Sequence, residues 1–182
     1  AIGVSPTSLS FAATQGGAQP ATQALSISNT GGATLTWSAS DNASWLTLSP
    51  ASGTSNGTIT ATVTTGALTA GTYSGVITLS ATGAASVTVP VTFTVTAAPA
   101  LAVLPASLSF IATQGAANPA SQSMTISSNG AWTVSKSGTW LTVSPTSGSN
   151  NGTITASVNT TNAILGTNSA TITVTSGGIT KT

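Results

Sequence analysis

Residues 45–63 read WLTLSPASGTSNGTITATV, and residues 140–158 read WLTVSPTSGSNNGTITASV. The two stretches match at one constant offset, which indicates that the chain contains two copies of one unit. In each copy, a loop of the form Ser-Pro-x-Ser-Gly precedes an Asn-Gly pair and a run of apolar residues that alternate with Thr or Ser. Alternation with a period of two predicts a β-strand that turns one face to a core and the other to solvent. This stretch therefore predicts a repeated, all-β fold.

The repeat extends outward from this stretch. SPTSLSFAATQGGAQPATQALSIS, which begins at Ser5, matches LPASLSFIATQGAANPASQSMTIS, which begins at Leu104. Residues 97–100 read AAPA, a short linker stiffened by proline. We therefore predict one domain over residues 1–97 and a second over residues 98–182.

The first copy contains further short runs of alternating apolar residues, and residues 87–95, VTVPVTFTV, form the clearest one. About seven strands in a domain of this size are typical of an immunoglobulin-like sandwich. We predict tandem immunoglobulin-like antiparallel β-sandwiches. The Asn56-Gly57 and Asn151-Gly152 pairs predict hairpin turns, since Asn and Gly tolerate positive φ.

The composition excludes several classes of function. Charged residues make up 2% of the chain, and His and Cys are absent. The ionisable side chains near neutral pH are Asp41, Lys136 and Lys181, too few for acid–base catalysis, a zinc or calcium site, or a phosphate-neutralising patch. We predict a protein that is not an enzyme, that needs no cofactor and that does not bind nucleic acid.

The most apolar stretch, residues 87–104, contains Pro90 and Pro99 and alternates with Thr, which predicts a strand and a linker rather than a membrane-spanning helix. We therefore expect no membrane insertion. The first residues do not form a signal peptide and do not begin with Met. We expect an extracellular or cell-surface protein whose export signal has been removed.

The quoted motifs resemble those of the BACON family, the immunoglobulin-like modules of Bacteroidetes and related bacteria and phages. The signature Trp-Leu-x-x-Ser-Pro-x-Ser-Gly occurs twice, at residues 45–53 and 140–148. The resemblance covers both copies and implies an exported bacterial or phage protein. The family is named for carbohydrate binding, but it supplies no shared binding motif that can be assigned to residues here.

Two sets of residues are candidate sites for carbohydrate. Trp45 and Trp140 lie beside a loop and could stack on sugar rings, although packing in the core is the simpler interpretation; Trp37 and Trp132 lie in strand patterns and are predicted to be core residues. Sequons for N-glycosylation begin at four asparagines: Asn42, Asn56, Asn151 and Asn159.

Three functions remain open: a subunit of an extracellular fibre, a sugar-binding module and a spacer of a larger surface protein. A nearly uncharged surface favours association. We therefore favour a fibre in which the partners are further copies of this chain, with polysaccharide binding as the alternative.

The repeat offset suggests how such copies would join. Thr182 corresponds to Val87, so no residues of the second copy correspond to residues 88–95. We predict an open strand edge and groove there, with Ile172, Val174 and Ile179 at the acceptor edge. The amino-terminal segment of another copy is the predicted donor, through Ile2, Val4, Leu9 and Phe11. In the alternative interpretation, the natural chain continues past Thr182 and supplies its own strand.

Overall fold

The computed structural model describes residues 1–113 and 115–182, and the regular secondary structure of these residues is β-strand apart from a short 3-10 turn. The chain divides into two compact units, Ala1–Ala98 and Pro99–Thr182. Each unit contains two sheets with a core of alternating apolar side chains between them. This confirms the predicted fold class, two tandem immunoglobulin-like β-sandwiches.

The first unit has nine strands: β1 (Ile2–Ser5), β2 (Leu9–Thr14), β3 (Gln23–Asn29), β4 (Thr36–Asp41), β5 (Leu46–Ser49), β6 (Ser52–Thr54), β7 (Gly57–Val63), β8 (Gly71–Ala81) and β9 (Ala84–Thr96). One sheet has the order β1-β3-β7-β5, and the other has the order β2-β9-β8-β4-β6. All pairs are antiparallel except β2–β9, which is parallel.

The described part of the second unit has eight strands: β10 (Leu101–Leu104), β11 (Gln122–Ser128), β12 (Ala131–Lys136), β13 (Leu141–Ser144), β14 (Ser147–Ser149), β15 (Gly152–Val158), β16 (Ile172–Ser176) and β17 (Ile179–Lys181). A short 3-10 turn, Thr160–Asn162, follows β15. The sheet orders are β10-β11-β15-β13 and β14-β12-β16-β17.

A tryptophan on the fourth strand explains the glycines of the signature. Trp37 is buried, and a Cβ added at Gly53 or Gly57 would lie 2.4 or 2.7 Å from its Cζ2 atom. Trp132 is buried in the same way against the equivalent glycines of the second unit. Only a residue without a side chain leaves room for the indole ring on these strands, so both tryptophans are core residues, as predicted.

The predicted hairpins at the two Asn-Gly pairs are wrong. The residues with positive φ are Ser55 and Asn150, one position earlier, and the chain there passes from β6 to β7 and from β14 to β15, that is, from one sheet to the other. The following asparagines hydrogen-bond to the neighbouring strand of the sheet that the chain enters: Asn56 Oδ1 accepts a hydrogen bond from the Asn29 amide of β3 at 2.8 Å, and Asn151 Oδ1 accepts one from the Ser128 amide of β11 at 3.1 Å.

The two units differ most where the last strand lies. β9 has 13 residues and pairs with both β8 and β2, whereas β17 has 3 residues and pairs with β16 alone. The counterparts of β2, residues 108–113, are not in a strand, and β16 has 5 residues against 11 in β8. The second unit therefore differs from the first in three segments.

Candidate functional site: an open groove in the second unit

An open groove, lined by apolar and polar side chains, runs along the second sandwich where β9 lies in the first. It consists of two adjoining hollows of about 500 and 420 Å³, and their shared lining residues are Leu108, Phe110, Trp140 and Asn168. Leu141 and Ile172 extend the floor of the second hollow. We call these six residues the groove.

The first unit shows what fills the equivalent space. The apolar side chains of β9 are almost fully buried there, and Phe93 is 0% exposed. The Phe93 ring lies 5.6 Å from the Trp45 ring, centroid to centroid, in a tilted contact. Leu9 and Phe11 of β2 are each 3% exposed because they pack in the same core. The groove is therefore the space left where a strand like β9 has no counterpart.

The two candidate sugar-stacking tryptophans differ for the same reason. Trp45 is 9% exposed and belongs to the first core, so it offers little surface to a sugar ring. Trp140 is half-buried and faces the groove, since none of residues 99–113 and 115–182 takes the position that Phe93 has in the first unit. Trp45 is therefore packed in the core of its unit, as predicted. Trp140, by contrast, is partly exposed to solvent.

Three large apolar side chains form a rim beside the groove. Ile111 is 92% exposed, Ile164 is 75% exposed and Leu165 is 79% exposed, and all three line the larger hollow. The repeat places Ala12, Thr69 and Ala70 at these positions in the first unit. Sequence reasoning missed this rim because the residues do not match between copies; comparing the copies position by position would have shown it.

The segment below the groove is held in place although it forms no strand. Gln122 Nε2 donates a hydrogen bond to the Ser109 carbonyl at 2.6 Å, as Gln23 Nε2 does to the Ser10 carbonyl in the first unit. Leu108 and Phe110 remain half-buried against the second core. This segment therefore keeps one of the side-chain hydrogen bonds that its counterpart makes in the first unit, although it forms no strand.

The predicted acceptor edge is only partly open. Val174 is 1% exposed in the core, and Ile172 and Ile179 are half-buried against it. A turn at Gly177 and Gly178, with φ of 55° and 82°, lets the chain fold back so that β17 covers β16 from Val174 to Ser176. The unpaired part of the edge therefore lies before Val174, beside the groove.

The predicted donor segment is not free, and this corrects the prediction. Ile2 and Val4 lie on β1, which pairs with β3 and packs on the first core. Leu9 and Phe11 lie on β2, inside that core and paired with β9. The alternating pattern that suggested a donor serves the first sandwich itself, and giving up both strands would open that core.

The four predicted sequon asparagines are exposed, and each side-chain oxygen already accepts a backbone hydrogen bond. Asn42 accepts from Val76 at 2.8 Å, and Asn159 accepts from Thr161 at 3.0 Å at the start of the 3-10 turn. Together with the hydrogen bonds of Asn56 and Asn151 described above, these contacts show that all four asparagine side chains stabilise loop backbone. Glycosylation of any of them remains a prediction.

The charged side chains lie outside the groove. Lys136 Nζ donates to the Gly138 carbonyl at 2.7 Å, and Asp41 accepts from the Ala43 amide at 3.2 Å. Within residues 1–113 and 115–182, no three His, Cys, Asp or Glu side chains come together to hold a metal ion. None of the helical structure in the same residues has the length and apolar character of a membrane span.

Comparison with solved structures gives low-identity matches. The Bacteroides ovatus GH5 xyloglucanase, solved with a XXXG heptasaccharide, is 23% identical over 52% of this chain and 19% of its own, with a TM-score of 0.43. A protein of unknown function from Porphyromonas gingivalis is 12% identical over 87% of this chain and 83% of its own, with a TM-score of 0.46. The EC3-6 region of protocadherin gammaB7 is 14% identical over 99% of this chain and 45% of its own, with a TM-score of 0.57. This chain thus spans about a fifth of the xyloglucanase, and these likenesses concern the fold alone.

A search of curated sequences gave no significant match. The family model of the viral BACON domain matches the chain twice, over residues 1–94 and residues 100–182. Together the two matches cover nearly the whole sequence, so the chain belongs to the viral BACON domain family and carries the domain in two tandem copies.

Proposed function

We propose that this chain is a non-enzymatic, extracellular structural protein that assembles with further copies of itself into a fibre. The copies would join at the open groove of the second unit. The observation that carries the proposal is the unfilled strand position, where Trp140 and Phe110 are half-buried while Trp45 and Phe11 are buried.

The difference between the units makes such a contact directional. A groove in one chain and the surface of the next chain that covers it are different surfaces, so the contact is heterologous and can propagate instead of closing as a dimer. The net charge of +1 adds almost no repulsion between copies. Both features favour a polymer over a soluble, isolated domain.

Polysaccharide binding is the alternative function, and the exposed part of Trp140 is the observation in its favour. A sugar site also needs polar groups that face the ring hydroxyls. Asn168 is the amide in the groove, and its side chain is engaged with the loop itself: Nδ2 donates to the Ile164 and Gly166 carbonyls, and Oδ1 accepts from the Ile164 amide. The Asn168 amide is therefore already engaged within its own loop.

Electron microscopy of the purified 182-residue chain tests the proposal. We expect filaments whose amount rises with protein concentration, and soluble polysaccharides that leave tryptophan fluorescence unchanged. The control is the Ile164→Thr/Leu165→Ala variant, which gives the second unit the residues of the first at these positions. Separate particles at all concentrations would contradict the fibre, and saturable binding of a polysaccharide that depends on Trp140 would favour the alternative.

A further inference from the structure

We infer that the Gln23 side chain caps the open edge of β2 and prevents this edge from pairing with a strand of another molecule. The inference concerns the first unit and does not depend on the groove of the second. It goes beyond the proposed function, because it identifies an edge at which copies of this chain are kept from joining. The partner that the cap excludes is the β2 edge of a second copy.

β2 is the longest edge strand in the described part of the chain. It has six residues and lies at the edge of its sheet, beside β9. The other edge strands have three or four residues each: β1, β5, β6, β10, β13, β14 and β17. A very short edge is a poor template for another strand, whereas a longer one presents a row of amides and carbonyls. β2 is therefore the edge with the greatest need of protection.

Protection by positive charge is not available to β2. Proteins often place lysine on an exposed edge, because a charged side chain opposes pairing with another sheet. The lysines of this chain are Lys136 and Lys181, and both belong to the second unit. The acidic residue of the first unit, Asp41, lies at the end of β4. Any protection of β2 by its own unit therefore comes from uncharged groups.

The backbone pairing of β2 shows which groups face the open side. The Gln15 amide, directly after β2, donates to the Thr96 carbonyl of β9 at 2.8 Å. The amides and carbonyls of successive residues in a parallel pair point alternately toward the neighbouring strand and away from it. Those of Ser10, Ala12 and Thr14 therefore point away from β9, to the open edge.

Two of the outward carbonyls are already occupied. Gln23 Nε2 donates to the Ser10 carbonyl at 2.5 Å, and the Gly17 amide donates to the Thr14 carbonyl at 2.9 Å. Gln23 lies on β3 of the other sheet, two residues before the buried Leu25, so its side chain starts on the core side and crosses to the edge of β2. An approaching strand would have to displace this amide to reach the Ser10 carbonyl.

The second unit contains the same contact. Gln122 Nε2 donates to the Ser109 carbonyl at 2.6 Å, although residues 108–113 form no strand. The contact is therefore a property of the glutamine and the carbonyl, and it does not require that the segment be paired in a sheet. Its presence in both copies supports a cap that acts on this segment of the sandwich.

The test removes the donor with Gln23→Met, which keeps the length of the side chain. It uses the 182-residue chain that carries Ile164→Thr/Leu165→Ala, so that the rim does not contribute. We expect a concentration-dependent dimer in analytical ultracentrifugation, because two β2 edges that pair with each other form a closed, isologous contact. Dimerisation should be at least about fivefold tighter than without Gln23→Met, a factor that corresponds to one net hydrogen bond.

Amide hydrogen exchange locates the contact. The Ser10 and Ala12 amides point to the open side of β2, so their exchange should slow in the dimer. The matched control is Gln15→Met, since Gln15 follows β2 directly and bonds to β9 through its backbone amide. Equal dimerisation in this control, or a dimer in which the Ser10 and Ala12 amides exchange as fast as in the monomer, would overturn the inference.

Two further variants separate the edge from other effects of the substitution. Gln23→Ala removes the donor without adding a thioether and should dimerise as Gln23→Met does. Gln23→Met/Ala12→Lys should return to monomers, since Ala12 is an exposed residue of β2 and a lysine on an edge opposes pairing. Tryptophan fluorescence during urea unfolding identifies the folded chains. Dimers that persist with Ala12→Lys, or folded Gln23 variants that stay monomeric at all concentrations, would refute the cap.

Discussion

The pairing of one tryptophan with two glycines sets the inner packing of each unit. Trp132 lies over Gly148 and Gly152, with Cζ2 at 2.2 and 2.7 Å from the positions that a Cβ would take. Its Nε1 atom also donates to the Asn150 carbonyl at 2.9 Å, next to the strained turn where Asn150 has a φ of 57°. The loop that contains Gly148 and Asn150 therefore packs directly against the indole ring of Trp132.

Replacing either loop glycine should destabilise its unit. For Gly53→Ala or Gly148→Ala, we expect a loss of about 1–3 kcal/mol of unfolding free energy, since the added methyl group overlaps a buried ring that has no room to move. Urea unfolding measures the change. Gly32→Ala is the control, because nothing lies within 4 Å of its added Cβ; an equal loss there would contradict the explanation.

The signature tryptophans should differ in their effect on stability. Trp45→Ala removes a core ring that contacts Phe93 and should cost about 3–5 kcal/mol. Trp140→Ala should cost clearly less, because the Trp140 ring is half-buried and lacks such a partner in the structure. Denaturant unfolding of the two variants compares them, and equal losses would show that Trp140 is packed as tightly as Trp45.

At the scale of the element, a strand depends on its partner as much as on its own residues. Leu9 and Phe11 form β2, yet Leu108 and Phe110, the same residue types in the same pattern, lie outside any strand. The difference is β9, which supplies the hydrogen bonds on one side of β2. A backbone without a partner for its amides and carbonyls does not form a ladder.

A last strand supplied by the same chain should restore the three segments in which the units differ, namely residues 108–113, β16 and β17. Adding the sequence of residues 88–96 after Thr182 should raise the unfolding free energy of the chain by about 2–4 kcal/mol, since it buries several apolar side chains. The measurement is denaturant unfolding, with hydrogen exchange over residues 108–113. An extension whose valines and phenylalanine are replaced by serine is the control, and equal stabilisation by both would contradict a specific fit.

The sequence predicted the repeat and the sandwiches, because each depends on a local pattern of alternation. It did not predict the loss of the β2 counterpart, which depends on pairing between residues far apart in the chain. The donor was assigned wrongly because alternation in Ile2 and Val4 fits an edge strand of the same unit equally well. The rim escaped notice since exposed Ile and Leu resemble core residues in sequence.

At the scale of the whole molecule, the near absence of charge gives a simple prediction. Folding should exchange few protons between about pH 5 and 9, because no side chain of this chain is of a type that titrates there. The midpoint of thermal unfolding should therefore stay within about 2 °C over this range. Calorimetry at several pH values measures it. A larger shift would reveal a coupled proton at Asp41, a lysine or the amino terminus.

The presence of the groove in only one of the two units has a consequence for the growth of a polymer. A copy whose groove is filled by its own added strand can still contact the groove of a neighbour, but no neighbour can contact its own groove. Such a copy would act as a chain terminator, in the way that a capped monomer stops a synthetic polymerisation. Small amounts of this copy, mixed with the unchanged chain, would then shorten the fibres. The average fibre length would depend on the molar ratio of the extended chain to the unchanged chain.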